Sequence, residues 1–499
     1  MPHRFIIVIP VADRPRHIRA CLGSLQELLR RHPYPHPIRV VLADDSADAA
    51  LIDVNRAIAA EYSSPGLEVI HFDQDAQWTL SAPFRDALPG VVGNKPRGDY
   101  GHKGQGVMRN IAYLKVSQML QGQPDDVLIW SLDSDQEFRV NVDRDDGYVI
   151  DYFGGLDAIF SRTDALMLTG KVVGDPPVSP AVMTANFLID VEGFLQDMAT
   201  HHPRTPCSHH DNTPQRGDAA YHDMADLFGF SPDARYAYPC PLSGPHTEAD
   251  CFAHFASRVN SFFYGEHPTR ITHYAPAELF STVQPARTVY AGNYVFRPAA
   301  MRYFIPFARL RLRMSGPMLG RIVKSELGER FVSANLPMLH KRTVETGGQA
   351  EFRPGIATTD ATIDMSGEFE RQFYGDVMLF STERRLACRP ASADFSALLD
   401  GVRTELLEKY NIRQHVILER LNRIEALLND PAQGWHDDAA TTHFQHFCAN
   451  VRRNFGADSS GHARINDAER WQSWRSDLLA AIAHYPQERS AWEKVLCAA

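Results

Sequence analysis

Strand-like and helix-like patterns of apolar residues alternate along the first part of the chain. Apolar runs of strand length occupy residues 5–11, 38–43 and 67–72, and residues 16–31 and 49–62 carry apolar side chains at helical spacing. Strands that alternate with helices in this way indicate βαβ units and a parallel sheet. Right-handed crossovers bring the carboxyl ends of such strands to one edge of the sheet, where ligands bind.

A fully apolar run over residues 127–132 ends in Asp133-Ser134-Asp135. A strand covered on both faces needs apolar residues at every position, so this run predicts a buried strand. Asp133 and Asp135 would point the same way, because side chains alternate along a strand. A divalent cation that prefers oxygen ligands would relieve the repulsion between them. The alternative is a solvated turn that closes the strand.

A glycine-rich turn precedes the helix that leads into this strand. Residues 101–106 read Gly-His-Lys-Gly-Gln-Gly. Backbone N–H groups at a helix start attract anions, and Lys103 and Arg109 add positive charge. The turn matches neither a Walker P-loop nor a Gly-x-Gly-x-x-Gly fingerprint, so a flexible turn without a ligand is the alternative.

The pattern changes twice further along the chain. Residues 1–195 form the first half of an α/β domain, and residues 196–285 are rich in histidine, proline and aromatic residues. We interpret this second stretch as an insertion or lid, since its histidines lack a recognisable ligand spacing. Regular patterns return over 286–390, and 391–499 is predicted to be a C-terminal helical region with a long helix over 395–428.

Composition, net charge and the number of cysteines argue against several classes of function. The 499 residues are 44% hydrophobic and 22% charged, which is typical of a globular protein with two to four domains. A formal charge of −10 argues against general nucleic-acid binding. The seven cysteines are scattered, odd in number and without a Cys-x-x-Cys pair, which favours a reducing cytoplasmic setting and argues against a zinc cluster. We expect no signal segment and no transmembrane segment.

Six stretches, taken in order, resemble the GT-A type glycosyltransferases, and family 2 in particular. They are residues 7–25, 40–46, 106–110, 129–135, 291–297 and His340. The resemblance covers roughly residues 5–342 and not the C-terminal region. It implies an α/β fold of GT-A (Rossmann-like) type, with a mostly parallel sheet, an insertion and a C-terminal helical region. Residues 1–195 would bind the nucleotide sugar, and 286–390 would form the acceptor side.

The resemblance also implies a donor site. Asp45 would hydrogen-bond the nucleotide base, and Asp13 and Arg109 would lie near the nucleoside. The remaining donor-binding residues that it implies are Pro10, Val11, Arg14, Lys103, Ser134 and Asn293.

A metal site is implied as well. Asp133 would face the ribose or the metal, Asp135 would bind Mn²⁺ or Mg²⁺ on the diphosphate, and His340 would be a further ligand. Both aspartates would thus be catalytic. A divalent ion and a cation such as Lys103 or Arg342 would stabilise the charge that develops on the leaving diphosphate. A strand-end histidine bonded to backbone is the alternative for His340.

The implied activity is metal-dependent transfer of a sugar, most simply a hexose, from a UDP- or GDP-sugar to a hydroxyl group of a glycan or small molecule. Inverting members carry an acidic pair that supplies the general base. In this chain the corresponding place, residues 315–318, holds no carboxylate. Either another acid such as Glu326 or Asp190 serves, or the enzyme retains configuration and the leaving phosphate acts as the base. We favour retention.

Two other readings remain open. A nucleotidylyltransferase usually has a glycine-rich loop after its first strand, whereas residues 11–15 read Val-Ala-Asp-Arg-Pro. A non-catalytic nucleotide-sugar-binding or scaffold protein would explain the missing acidic pair, although the Asp133/Asp135 pair argues against it. The C-terminal helices are a candidate homodimer surface in each case.

Overall fold

The computed structural model describes most of the chain. The described residues are 2–122, 126–142, 145–209, 234–343, 351–359, 362–387, 395–435 and 439–498.

A mixed sheet forms the centre of the molecule. Its strands and the two small hairpins beside it are β1 (Arg4–Val11), β2 (Ile38–Asp44), β3 (Leu67–Phe72), β4 (Val127–Leu132), β5 (Gln136–Glu137), β6 (Val140–Val142), β7 (Asp145–Gly147), β8 (Met167–Gly174), β9 (Gln284–Pro285), β10 (Asn293–Phe296), β11 (Phe331–His340), β12 (Ala357–Thr359) and β13 (Thr362–Asp364). The order in the large sheet is β3-β2-β1-β4-β10-β8-β11-β5, and β9 pairs with β11.

The directions of the strands determine which strand ends, and therefore which candidate site residues, meet at one edge of the sheet. Strands β1, β2, β3 and β4 are mutually parallel, and β8 is parallel to β11. Strand β10 runs antiparallel to both β4 and β8, so those two strands share one direction. The carboxyl ends of β1, β2, β4, β8 and β11 therefore meet at one edge of the sheet. Every residue of β4 is buried, as its apolar run predicts.

Helices cover both faces of the sheet and build the C-terminal region. They are α1 (Pro15–Arg31), α2 (Ala49–Tyr62), α3 (Gln74–Ser81), α4 (Pro89–Val92), α5 (Gln105–Leu120), α6 (Tyr152–Arg162), α7 (Pro180–Thr200), α8 (Glu248–Val259), α9 (Ser315–Leu327), α10 (Ser366–Ala387), α11 (Phe395–Leu428), α12 (Thr441–Phe455), α13 (Ser460–Asn466) and α14 (Ala468–Ala498). The predicted fold class, a mostly parallel α/β sheet with a C-terminal helical region, is confirmed.

A second hydrophobic core joins the C-terminal helices to α7 and α8. Phe187 of α7 stacks on Phe262 with ring centroids 4.5 Å apart, and its ring edge meets Phe447 of α12. Helix α14 returns to the sheet, where Trp492 is fully buried and its Nε1–H donates to the Met301 carbonyl at 2.7 Å. Glu488 accepts the Gly90 N–H at 2.7 Å. The C-terminal region is therefore packed against the sheet.

The predicted division of the chain into four segments remains a prediction. Helix α7 runs across the predicted boundary at residue 195, and residues 210–233 of the predicted insertion lie outside the described residues. Within the described part of the chain, no helix is both long enough and apolar enough to cross a membrane.

Candidate functional site

A cavity of about 970 Å³ lies at the carboxyl edge of the sheet. Helix α7 begins on one side of it, and residues 352–357 and 364–372 close another. Most residues that the sequence assigns to the site line this cavity: Pro10, Val11, Arg14, Asp45, Arg109, Asp133, Ser134, Asp135 and His340. The structure therefore brings together strand ends that are separated by up to some three hundred residues.

Asp45 holds the glycine-rich turn in place. Its two carboxylate oxygens accept the backbone N–H groups of Lys103 at 2.9 Å and Gly104 at 3.0 Å. Gly104 has φ +99°, a backbone conformation that favours glycine, and it precedes the first turn of α5. The turn presents Gln105 and Gly106 to the cavity.

Lys103 does not line the cavity. Its ammonium group contacts the Asp45 carboxylate at 2.8 Å and donates to the Tyr100 carbonyl at 2.6 Å. Burial lowers the pKa of Lys103, although the neighbouring Asp45 opposes the shift. In this geometry the lysine neutralises Asp45 rather than reaching a ligand.

Asp13 lies just behind the cavity wall. One carboxylate oxygen accepts the N–H groups of Ala47 and Asp48 at 3.1 and 3.3 Å, and the other contacts His102 Nε2 at 2.5 Å. The His102 ring stacks on Phe352 with centroids 4.1 Å apart, and both rings line the cavity. Asp13 thus positions a flat ring pair at the cavity wall.

Asp133 is held by helix α5. Its carboxylate accepts hydrogen bonds from Arg109 Nη2 and Gln105 Nε2, and Arg109 Nε donates to the Ser131 hydroxyl at 3.0 Å. Burial would lower the pKa of the Arg109 guanidinium, but the Asp133 charge raises it above its ordinary value. Strand β4 and helix α5 therefore present one ion pair to the cavity.

Asp135 is buried and strongly anionic. Its Oδ2 lies 3.1 Å from Arg342 Nη1, 3.3 Å from Arg14 Nη1 and 3.5 Å from His340 Nε2. Burial would raise the pKa of Asp135, but the charges of His340, Arg342 and Arg14 hold it well below its ordinary value. The other oxygen, Oδ1, is buried and has no hydrogen-bond partner among the described residues.

A backbone carbonyl determines which ring nitrogen of His340 carries a proton. Its Nδ1 lies 2.6 Å from the Asp175 carbonyl, which only accepts, so Nδ1 carries the proton. Nε2, which faces Asp135, is then the ring nitrogen left to bind a metal, as in a metal-binding histidine oriented by a carbonyl. The bare Asp135 Oδ1 and this Nε2 are an oxygen and a nitrogen donor that suit Mn²⁺. The residues therefore fit the divalent ion that the resemblance implies.

Asn293 lies outside the cavity. It is fully buried, and its side-chain oxygen accepts from Trp130 Nε1 at 2.9 Å. Its amide nitrogen donates to the carbonyls of Lys171 and Leu336, both at 2.8 Å. These bonds tie β10 to β4, β8 and β11, so the donor-binding role that the sequence predicts has no support in its contacts.

An arginine-rich wall was not predicted from the sequence. Arg311, Arg313, Arg353, Arg371 and Arg464 line the cavity and come from chain segments beyond its central strands. No motif marks these residues, and two of them belong to helices outside the resemblance.

Two of these arginines hold a buried acid of the cavity lining. Glu368 is buried and accepts from Arg313 at 2.8 Å and Arg371 at 3.5 Å. Burial would raise its pKa, but the arginine charges lower it. Arg353 Nη1 is buried without a hydrogen-bond partner among the described residues. The wall therefore keeps positive charge for a ligand.

The candidate general bases lie elsewhere. Asp190 is buried in an ion pair with Arg270 at 2.8 Å, and Glu326 accepts from Tyr303 at 2.9 Å near α14; neither lines the cavity. Ser315, Gly316 and Pro317 do line it and supply no carboxylate. Asp364 lines it too, with Oδ1 accepting the Ser366 N–H at 2.8 Å.

No family model and no curated protein matches the chain. Among solved structures, the mannosyltransferase PcManGT from Pyrobaculum calidifontis, in complex with GDP-Man and Mn²⁺, matches over 97% of this chain and 87% of that chain, with 9% identity and a TM-score of 0.33. Mannosyl-3-phosphoglycerate synthase from Rubrobacter xylanophilus matches over 37% of this chain and 46% of that chain, with 17% identity and a TM-score of 0.22.

Mouse xyloside xylosyltransferase 1 matches over 67% of this chain and 79% of that chain, with 14% identity and a TM-score of 0.25. The matched structures are GT-A type glycosyltransferases, the group that the sequence resembles. The chain spans less than half the length of the synthase. Similarity at this level does not define an activity.

Proposed function

We propose that the chain is a metal-dependent glycosyltransferase that moves a sugar from a UDP- or GDP-sugar to a hydroxyl acceptor. The observation that carries this proposal is the arrangement around Asp135. A buried carboxylate with one bare oxygen faces a histidine nitrogen, between two arginines, at the carboxyl edge of a parallel sheet. This is where a diphosphate with its divalent ion fits.

The nucleoside of the donor would bind in the part of the cavity near the ends of β1 and β2. Pro10, Val11 and Asp45 line this part of the cavity, beside the stacked rings of His102 and Phe352. A flat apolar surface next to a carboxylate suits a nucleobase, since stacking covers its faces and polar atoms meet its edge. Asp45 already accepts two backbone N–H groups, so its contribution to base binding includes holding the turn.

The part of the cavity that would bind the diphosphate carries the strongest positive charge. Asp135 and His340 would hold Mn²⁺ or Mg²⁺, and such an ion withdraws charge from a leaving diphosphate when it is bound. Arg14 and Arg342 lie beside Asp135, and Arg353 lines the same cavity. These fixed cations stabilise a leaving anion without reorganisation in the transition state.

The acceptor side bears on stereochemistry. Glu368 is ion-paired with two arginines, which makes it a weak base, and residues 315–317 supply no carboxylate to the cavity. Asp364 lines the cavity as well, but one of its oxygens already accepts the Ser366 N–H. We therefore propose retention of configuration, with the leaving phosphate taking the proton of the acceptor hydroxyl. We also propose a hexose as the transferred sugar. Inverted product from a hydrolysed or transferred donor, measured by NMR, would overturn the proposal of retention.

The decisive experiment measures binding of UDP, GDP, CDP and dTDP by calorimetry, with and without Mn²⁺. We expect one nucleotide to bind tightly only with the ion, and Asp135→Asn to abolish the dependence on metal. Asp53→Asn is the matched control, because Asp53 is exposed on α2 and contacts only Arg56 among the contacts described. If none of the four nucleotides shows metal-dependent binding, the donor site is wrongly placed.

An enzyme would slowly hydrolyse the donor, whereas a binding protein with the same site would not. A nucleotidylyltransferase would instead release pyrophosphate from a nucleoside triphosphate and a sugar phosphate, so that assay tests the alternative directly.

A further inference from the structure

A second group of ligand-type side chains lies far from the cavity edge of the sheet. Cys207, Cys240, His246 and Cys251 bring three sulfurs and one imidazole nitrogen within 4.8 Å of one another. These three cysteines are scattered along the sequence, and the fold brings them together. Their spacing, with 32 residues between the first two, gave no motif that the sequence alone would reveal.

We propose that these four residues form a structural zinc site. Three cysteines and a histidine are one of the ligand sets that bind Zn²⁺ tetrahedrally with no open position. Cys240 and Cys251 are buried, and Cys207 and His246 are half-buried, so the site is screened from solvent but open to metal loading. The proposal concerns stability and is independent of the proposed transferase activity.

The four ligand atoms are close enough together to surround one ion after a small adjustment. Cys251 Sγ lies 3.0 Å from Cys207 Sγ and 3.2 Å from Cys240 Sγ, and Cys240 Sγ lies 3.2 Å from His246 Nε2. A zinc ion about 2.3 Å from each sulfur separates the sulfurs by about 3.7 Å. The side chains need to move apart by roughly half an ångström to admit it, which sulfur side chains achieve by small rotations about χ1.

The backbone orients the ligands as a metal site requires. His246 Nδ1 lies 2.8 Å from the Gly244 carbonyl, so Nδ1 carries the proton and Nε2 faces Cys240 with its lone pair. The His209 N–H donates to Cys207 Sγ at 3.3 Å, and such bonds stabilise a thiolate. The Cys207 N–H donates to the His246 carbonyl at 3.0 Å, which holds the two ligand segments side by side.

The site joins segments of irregular backbone to helix α8. Cys207 follows α7, Cys240 and His246 lie in irregular backbone, and Cys251 lies in the first turn of α8. Helix α8 packs on α12 through Phe252 and Phe444, whose rings are 5.3 Å apart. A bound ion would cross-link this irregular chain to the second core, as structural zinc does in other folds.

Metal analysis of the full-length protein, purified without chelators, tests the proposal. We expect about one zinc per chain, falling to near zero in Cys251→Ser and in His246→Ala. Cys21→Ser and Cys448→Ser are matched controls, since both cysteines are buried and lie outside the group. Both controls should keep their zinc.

Cobalt substitution covers the case in which a ligand variant fails to fold. Exchange of the wild-type protein with Co²⁺ should give the intense visible bands of tetrahedral thiolate-bound cobalt, and Zn²⁺ should remove them. Absence of zinc together with absence of these bands overturns the proposal. A disulfide between two of the three cysteines in the freshly purified protein, found by mass spectrometry without reduction, overturns it as well.

Discussion

Replacement of Asp135 by asparagine should destabilise the protein even with no nucleotide and no added Mn²⁺ or Mg²⁺. The carboxylate is 6% exposed and faces the guanidinium groups of Arg342 at 3.1 Å and Arg14 at 3.3 Å. Asparagine keeps the volume and removes the charge, so both guanidinium groups lose their counter-ion in a buried place.

The magnitude follows from these contacts. Removing one partner of a buried ion pair costs about 3–5 kcal/mol. The Arg14 and Arg342 side chains are 16% and 10% exposed, which allows some hydration, so we expect the lower end of that range, about 3 kcal/mol. Urea unfolding at neutral pH measures the change in the free energy of unfolding, with Asp53→Asn as the control.

The pH dependence gives an independent check of the same reasoning. The pKa of Asp135 is held well below its ordinary value in the folded protein, so its stabilising effect is complete above the unfolded pKa of about 3.9. The effect is lost as the pH falls through the folded pKa. The difference between wild type and Asp135→Asn should therefore persist from about pH 8 down to about pH 5 and shrink only below about pH 4. A difference under about 0.5 kcal/mol at neutral pH would refute the ion-pair assignment.

Three further predictions follow from described contacts. Asn293→Ala should cost roughly 3 kcal/mol in urea unfolding, because three buried partners lose a hydrogen bond, and should leave the nucleotide Kd unchanged; a tenfold weaker Kd would restore its donor-binding role. Arg353→Met should weaken nucleoside diphosphate binding in calorimetry by roughly tenfold or more, whereas exposed Arg56→Met should not; equal Kd values would place the phosphates elsewhere. If α11 forms the predicted homodimer, Ile412→Glu, at a side chain 59% exposed, should give a monomer by light scattering; a wild-type monomer would exclude that dimer.

The sequence predicts the sheet edge well because local signals specify it. The apolar run of β4 and the strand pattern of β1 and β2 set the direction of each strand, and direction alone places Asp45, Asp133 and Asp135 together. His340 joins them because β11 lies parallel to β8. No side-chain contact has to be known to reach this result.

Side-chain partners are less predictable because they come from distant parts of the chain. Asn293 looks like a cavity residue from its position, yet its amide bonds to Leu336 and Lys171 decide its role. Lys103 is drawn to Asp45 in the same way. The Cys207 group and the arginine wall carry no short motif, so only the folded chain reveals them.

The two walls of the cavity come from separate stretches of sequence. The strand ends, the α5 turn and residues 352–357 form one wall, and helices α10 and α13 form much of the other. Sequence change in α10 and α13 can therefore reshape that part of the cavity without shifting Asp45, Asp133 or Asp135. In the proposed reaction, such a protein can acquire a new acceptor by evolution or engineering while its donor chemistry stays the same.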